Sequence, residues 1–171
     1  MEMERIRLRA LEPEDVELMY EIENDEKEWR HGDSVAPFSR QQLLDYAMNY
    51  DADPFRAGQL RLVVVNDKNE SIGIADLYEI SAKNRNAFIG IAIHPEFRGR
   101  GYGTASIRLI ADYAFKILKL KNLAAKVITS NHKALAMFKS SGFSEIGVMK
   151  GWQLTAYGFE DIAVLTLGAD H

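Results

Sequence analysis

The chain contains no cysteine, which excludes a disulfide, a thiolate nucleophile and a zinc–thiolate site. Its four histidines are scattered, so no metal site is expected. No apolar run approaches the roughly 20 residues that a membrane-spanning helix needs. The opening Met1-Glu2-Met3-Glu4-Arg5 lacks the basic-then-apolar order of a secretion signal, and a cytoplasmic location is expected. Net positive charge is missing too. The formal balance of -4 argues against nonspecific binding to nucleic acid, which needs clustered cations.

What is present describes a globular enzyme-sized unit. A length of 171 residues with 47% hydrophobic and 27% charged side chains suits one domain over residues 1–171, without repeat or linker. Charge is uneven along the chain. Residues 12–28 carry nine carboxylates, among them Glu21, Glu23, Asp25, Glu26 and Glu28, while basic residues gather around Arg98–Arg108 and Lys116–Lys126. That asymmetry suits two ligands of opposite sign, and equally suits solvated helix faces.

Periodicity gives the element order β-α-α-β-β-β-α-β-α-β-β. Arg5–Ala10 alternates as a half-buried strand, and Pro13 suits the first turn of a helix. Ser39-Arg40-Gln41-Gln42 has capping-box form and opens a helix with the stripe Leu43, Leu44, Ala47 and Met48. Leu60–Val65 and Ser71–Ile80 read as a hairpin, Asn86–Ile93 as a fourth strand. Thr104–Lys119 is the strongest helix, with Ile107, Ile110, Ala111, Ala114, Phe115 and Leu118 on one face. Leu123–Thr129, a helix over Asn131–Ser141, and strands near Glu145–Trp152 and Asp161–Leu167 complete the chain. The pattern predicts an α/β (α+β) mixed sheet, about seven strands flanked by about four helices.

Chemistry concentrates in Ile91-Ala92-Ile93-His94-Pro95-Glu96-Phe97-Arg98-Gly99-Arg100-Gly101-Tyr102-Gly103-Thr104, a strand running through a glycine-rich turn into the strongest helix. Glycine allows positive φ and close backbone approach. Amides at a helix N-terminus, with the helix dipole behind them, make a cradle for phosphate oxygens, and Arg98 and Arg100 add charge. A pyrophosphate site is predicted. No Gly-Lys-Ser or Gly-Lys-Thr occurs, so this is not a Walker A loop. The dinucleotide fingerprint fails as well, because Thr104 stands at its third glycine and three strands precede it.

Arg98-Gly99-Arg100-Gly101-Tyr102-Gly103 resembles the [QR]-x-x-G-x-[GA] acetyl-CoA motif of the GNAT N-acetyltransferase superfamily, and His94–Phe97 its usual lead-in. Asn131 to Phe143 is similar to its second motif, and Leu8–Asp15 to its typical opening. The nearest branches resemble spermidine acetyltransferases and the enzymes that acetylate ribosomal-protein N-termini. The resemblance implies a mostly antiparallel GNAT-like sheet. It also implies acetyl transfer from acetyl-CoA to a primary amine by direct attack in a ternary complex, releasing coenzyme A. Ile91, Ala92 and Ile93 would meet the pantetheine arm, Arg98 to Thr104 the pyrophosphate, and Asn131, Lys133 and Phe138 the cofactor's far side. Asn131 reads equally as a helix cap.

The sequence departs from the family pattern twice. Phe88 stands where relatives often carry a glutamate base, and Asp76 and Glu79 on the neighbouring strand are the substitute candidates. Phe138 replaces the usual tyrosine acid; Tyr102, Tyr157 or water could protonate the leaving sulfur, and nothing in the sequence selects one. His94 and His132 read as structural and exposed respectively. Glu26, Glu28, Trp29 and His31 are candidate acceptor-binding residues, a carboxylate-and-aromatic mouth that suits a polyamine. An α-amino group of a peptide or protein suits the missing glutamate, because it deprotonates more readily. Aminoglycosides and other small amines rank behind these. The two phenylalanines also fit an alternative, a non-catalytic acetyl-CoA-binding regulatory module. Trp152 and Tyr157 on the last strands are candidate contacts of a homodimer.

Overall fold

The computed structural model describes residues 5–25 and 35–170. Strand β1 (Ile6–Ala10) leads through a 3-10 turn (Pro13–Asp15) into α1 (Val16–Glu23). Helices α2 (Arg40–Met48) and α3 (Pro54–Ala57) precede β2 (Leu60–Asn66), β3 (Ser71–Ser81) and β4 (Asn86–Ile93). A 3-10 turn (Pro95–Phe97), α4 (Tyr102–Lys116), β5 (Asn122–Ile128), α5 (His132–Ser140), β6 (Ser144–Thr155) and β7 (Gly158–Gly168) follow.

The seven strands form one sheet in the order β1-β2-β3-β4-β5-β7-β6. Every neighbouring pair is antiparallel except β4 and β5. That parallel pair needs a crossover, and α4 supplies it. Its pairing ends early: Asn86, Ala87 and Phe88 match Asn122, Leu123 and Ala124, and beyond them the strands diverge. An opening therefore forms beside Ile89–Ile93, where the chain leaves β4 for the glycine turn.

Each face of the sheet has its own core. Ile107, Ile110, Ala111, Ala114 and Leu118 of α4 and its C-terminal flank pack on one face, together with Leu60, Val64, Leu77 and Ile89. Met19 and Ile22 of α1 and Leu43 and Ala47 of α2 pack on the other, against Val63, Val65 and Ile74. Burial from both sides explains the nearly continuous apolar run of β2, in which Arg61 is the lone charge.

The predicted order and the bounds of β4 hold, and the capping box at Ser39 is present: its hydroxyl accepts from Gln42 N–H at 3.1 Å and its N–H donates to Gln42 at 2.8 Å. Several expectations are corrected. Helix α4 starts at Tyr102 rather than Thr104, because Gly101 in the left-handed region (φ 83°) already serves as its N-cap. Met48 is 66% exposed, since α2 ends there, and of the expected stripe only Leu43 and Ala47 are buried. Helix α3 escaped periodicity because it is a single turn, set by Asp53 as N-cap and Gly58 (φ 72°) as stop. The described helices thus number five against about four expected. Strands β6 and β7 run several residues longer than their apolar cores, paired out to the turn at Thr155 and Gly158.

Candidate active site at the β4–β5 opening

The glycine turn is held by its own arginines. Arg98 donates through Nε to the Ile93 carbonyl at 2.8 Å and approaches Asp25 of the α1 flank at 3.8 Å. Arg100 reaches the Glu96 carbonyl at 3.4 Å and lies 5.6 Å from the Phe97 ring centroid. Arg98 lines the adjoining cleft, whereas Arg100 does not. Both guanidiniums brace the loop. His94 is structural as expected, with Nε2 2.6 Å from Glu21 and Nδ1 accepting from Glu96 N–H at 3.3 Å.

His94 N–H donates across to Ile72 of β3 at 2.8 Å, so by strand alternation the polar groups of Ile93 and Ile91 face the opening. The Ile93 carbonyl is the one Arg98 takes. Beside them lies a cleft of about 610 Å³ lined by Ile91, Ala92, Ile93, Arg98, Gly99, Gly101, Tyr102, Gly103, Thr104, Asn131 and Lys133, among others. A Cβ at Gly101 would meet nothing within 4 Å, so the protein itself does not fill the space over the helix N-terminus. Gly103 is different. A Cβ there would strike Met137 Sδ, so this glycine lets α5 pack against α4. An elongated ligand with a diphosphate fits this site: an edge of strand for an amide chain, then first-turn amides that have no helical acceptor.

Asn131 caps α5, its side chain accepting from Ala134 N–H at 3.2 Å, and it borders this cleft and the next. Phe138 is 5% exposed and meets Phe143 edge-on at 5.2 Å, a core contact that still leaves it on the wall of the second cleft. Tyr102 is buried at the wall of the first cleft, and Tyr157, 74% exposed on the β6–β7 turn, lines neither. His132 is exposed, as expected.

The second cleft, about 350 Å³, opens on the other face of the sheet and shares Ile91, Ala92, Asn131, Ala134 and Met137 with the first. Its charged floor centres on Arg61. The guanidinium forks onto Asp76 (Nε to Oδ1 2.8 Å, Nη2 to Oδ2 2.9 Å) and donates to Glu23 at 2.7 Å. Tyr46 stacks 5.5 Å from it, and the Arg61 N–H donates to Tyr50 Oη at 2.7 Å. Burial works to lower the Arg61 pKa, but the charge and hydrogen bonds of Asp76, with Glu23 behind them, reverse that and raise it. Burial raises the pKa of both tyrosines.

Of the two candidate bases, Asp76 lies in this cleft and Glu79 does not. Glu79 sits in a β-bulge between Tyr78 and Ser81, at φ 48°, and points to solvent. Asp76 accepts on both oxygens from Arg61, so taking up a proton there would break a bidentate ion pair. Trp152 and Gln153 close the far wall. Glu26, Glu28, Trp29 and His31 lie outside the described residues. Glu23 belongs to the acidic run already singled out in the sequence; Arg61, Tyr78, Gly90, Lys126 and Gln153 were missed as wall residues, and a solitary arginine inside an apolar strand was the usable signal.

Residues 5–144 match the acetyltransferase (GNAT) domain family. The chain is 32% identical over 142 residues to the spermidine N(1)-acetyltransferase of Escherichia coli (strain K12), covering 83% of this chain and 74% of that relative. It is also 32% identical over 153 residues to the putative ribosomal N-acetyltransferase YdaF of Bacillus subtilis (strain 168), covering 84% and 80%. Among solved structures, the spermidine N-acetyltransferase from Vibrio cholerae in complex with CoA and spermine superposes with a TM-score of 0.89 at 25% identity, over 96% of each chain. These relatives are enzymes, which supports the catalytic reading over a binding module. With the sheet opening, the glycine turn and the family match in agreement, the chain belongs to the GNAT acetyltransferase family and is an acetyl-CoA-dependent N-acetyltransferase acting on amines.

Proposed function

We propose that this enzyme acetylates a polyamine, with the donor held on the α4–α5 face and the acceptor entering from the α1 face. The observation that carries it is a pair of carboxylates, Glu23 and Asp76, fixed at the acceptor-side cleft beside Tyr78 and Trp152. Such a wall attracts an ammonium group and packs its methylene chain. The spermine-complexed relative from Vibrio cholerae supports the same class.

Ile91 and Ile93 pair with the pantetheine amides, amides from Gly99 to Thr104 take the diphosphate, and Lys133 adds a cation beside it. Asp76 and Glu23 attract the acceptor's ammonium groups; given the Arg61 clamp, Asp76 is not the base. The reacting ammonium first loses a proton to solvent. The neutral nitrogen attacks the thioester carbon, a C–N bond forms, the nitrogen gives up its second proton to solvent and the C–S bond breaks. The sulfur leaves as thiolate and is protonated by water, as an ordinary thiol pKa near 8.5 permits. A backbone N–H of β4 stabilises the carbonyl oxygen as it gains charge. At pH 7 the first step costs about 4.6 kcal/mol for an amine of pKa near 10.4.

A peptide N-terminus is the second reading, favoured by Phe88 in place of the strand glutamate and by the similarity to YdaF. Acetyl-CoA offered with spermidine, an Ala-starting peptide and an aminoglycoside, with products read by mass spectrometry, separates the two. Acetylspermidine as the dominant product supports the proposal, and a dominant acetyl-peptide overturns it. We also propose that the chain assembles through β6, whose Ile146, Trp152 and Leu154 are 65–67% exposed; a relative from Vibrio cholerae is dodecameric.

A further inference from the structure

Neither of the expected proton-transfer residues is available: Phe88 stands at one position and Asp76 is clamped at its alternative. The face of the sheet that forms the acceptor cleft holds a different charge pattern. Arg61 is registered with Asp76, and Asp76 with Gly90. Phe88 is registered with Ala124, so Lys126, two residues further along β5, falls on the same face across the opening from Gly90. Its Nζ stands 4.6 Å from the Phe88 ring centroid, and Phe88 stacks on Tyr78 at 5.5 Å and 21°. Arg61, Asp76, Tyr78, Gly90 and Lys126 line one cleft, and Phe88 lies beneath Lys126.

The row reads cation, anion, gap, cation. The gap is Gly90, where a Cβ would meet nothing nearer than Tyr78 Cε1 at 3.8 Å, so protein packing does not require the glycine. Lys126 forms no ion pair with any carboxylate of the described residues. Arg61 cancels one of the two facing carboxylate charges of Glu23 and Asp76, and the remaining walls, Tyr78, Trp152 and Gln153, are uncharged at neutral pH.

We infer that Lys126 is the group that readies the acceptor: its ammonium, across Gly90 from Asp76, makes the reacting amine shed its proton. The inference rests on the amine-transfer reading above. A like charge close by disfavours the protonated amine and leaves the neutral form unaffected. The displaced proton goes to solvent, and the bond changes are those already given. This places the reacting nitrogen over Gly90 and a distal ammonium of the acceptor toward Glu23 and Asp76, which gives the bound polyamine a direction. Phe88 contributes by holding the lysine charge over its ring face.

The test is the single-turnover rate of acetyl transfer at saturating acetyl-CoA and spermidine, measured from pH 6 to 10 for the unsubstituted chain, Lys126→Met and Lys126→Arg. Lys126 is exposed on β5, and thermal melts confirm that the variants fold. The rising limb of the profile reports the bound amine. In Lys126→Met it is expected to move up by about one pH unit, with the rate at pH 7 falling about ten-fold, and in Lys126→Arg to stay in place. A uniform fall in rate without displacement of the limb assigns the lysine to the leaving sulfur instead and overturns the inference. An unchanged rate makes it a surface lysine and overturns it as well. If the unsubstituted chain acetylates neither spermidine, the Ala-starting peptide nor the aminoglycoside, the amine-transfer reading fails first and this one with it.

Discussion

Replacing Arg61 with methionine probes the floor of the acceptor cleft. The substitution keeps most of the side-chain length but removes three hydrogen bonds of 2.7–2.9 Å, two to Asp76 and one to Glu23. Two carboxylates then face each other without their shared cation. Removing one partner of a buried ion pair costs about 3–5 kcal/mol, chiefly because the remaining charge is left unpaired. Asp76 and Glu23 keep 26% and 23% of their side chains exposed, so water relieves part of that. A loss of about 2–4 kcal/mol is expected, from the same source discounted for partial solvation. For a domain of this size that lowers Tm by about 5–15 °C. Thermal and urea unfolding followed by circular dichroism read the loss. Because the cost lies in orphaned charge, adding Asp76→Asn and Glu23→Gln should recover at least half of it while leaving the cleft without carboxylates. If Arg61→Met melts within about 2 °C of the unsubstituted chain, the cluster is a solvated surface network and the reasoning is wrong. If the triple variant is less stable than the single one, orphaned charge is not the cause.

The glycines of the turn separate into two predictions. Gly101→Val puts a branched side chain at φ 83° into open space over the helix N-terminus; coenzyme A affinity measured by calorimetry should fall about 10- to 100-fold while the secondary structure persists. Gly103→Ala should instead push the flexible Met137 side chain aside, and because alanine also favours the helix the unfolding free energy should change by no more than about 1 kcal/mol, read by urea unfolding. Away from the site, Asp51 is held down to about 2 by hydrogen bonds from the Arg56 side chain and the Asp53 N–H. Because the folded value is depressed, its stabilising contribution is present above the ordinary 3.8 and is lost as pH falls toward 2. Carboxyl-carbon NMR should show that low midpoint, and Arg56→Met should move it back toward 3.8.

Much of this architecture follows from local pattern. The bounds of β4, the turn and the stripe of α4 were legible because glycine, helix periodicity and strand length are properties of adjacent residues. The cleft was less so. Arg61 is a lone charge in an apolar strand, and only the pairing of β2 with β3 and the packing of α1 show that it serves Asp76 and Glu23 together. Glu79 looked equivalent to Asp76, three residues away, yet the bulge that turns it outward has no signature beyond a single positive φ. Lys126 was legible as part of the strand Leu123–Thr129, but its place opposite Gly90 depends on where two distant strands stop pairing. Arg98 and Arg100 stood out by motif alone, and that their side chains brace the loop is visible only in the folded chain.

That bracing links the two halves of the site. The donor turn and the acceptor-side helix come from opposite faces of the sheet, and they meet at the end of β4. There His94 bonds Glu21 at 2.6 Å, and Arg98, already fixed to the Ile93 carbonyl, reaches Asp25. The strand end that offers its edge to the donor is thus the same point to which the C-terminal part of α1 is tied. Glu23, lying between Glu21 and Asp25, is carried along with them onto Arg61. The carboxylates of α1 therefore have two jobs that composition alone could not separate. Glu21 and Asp25 join the faces, and Glu23 builds the cleft.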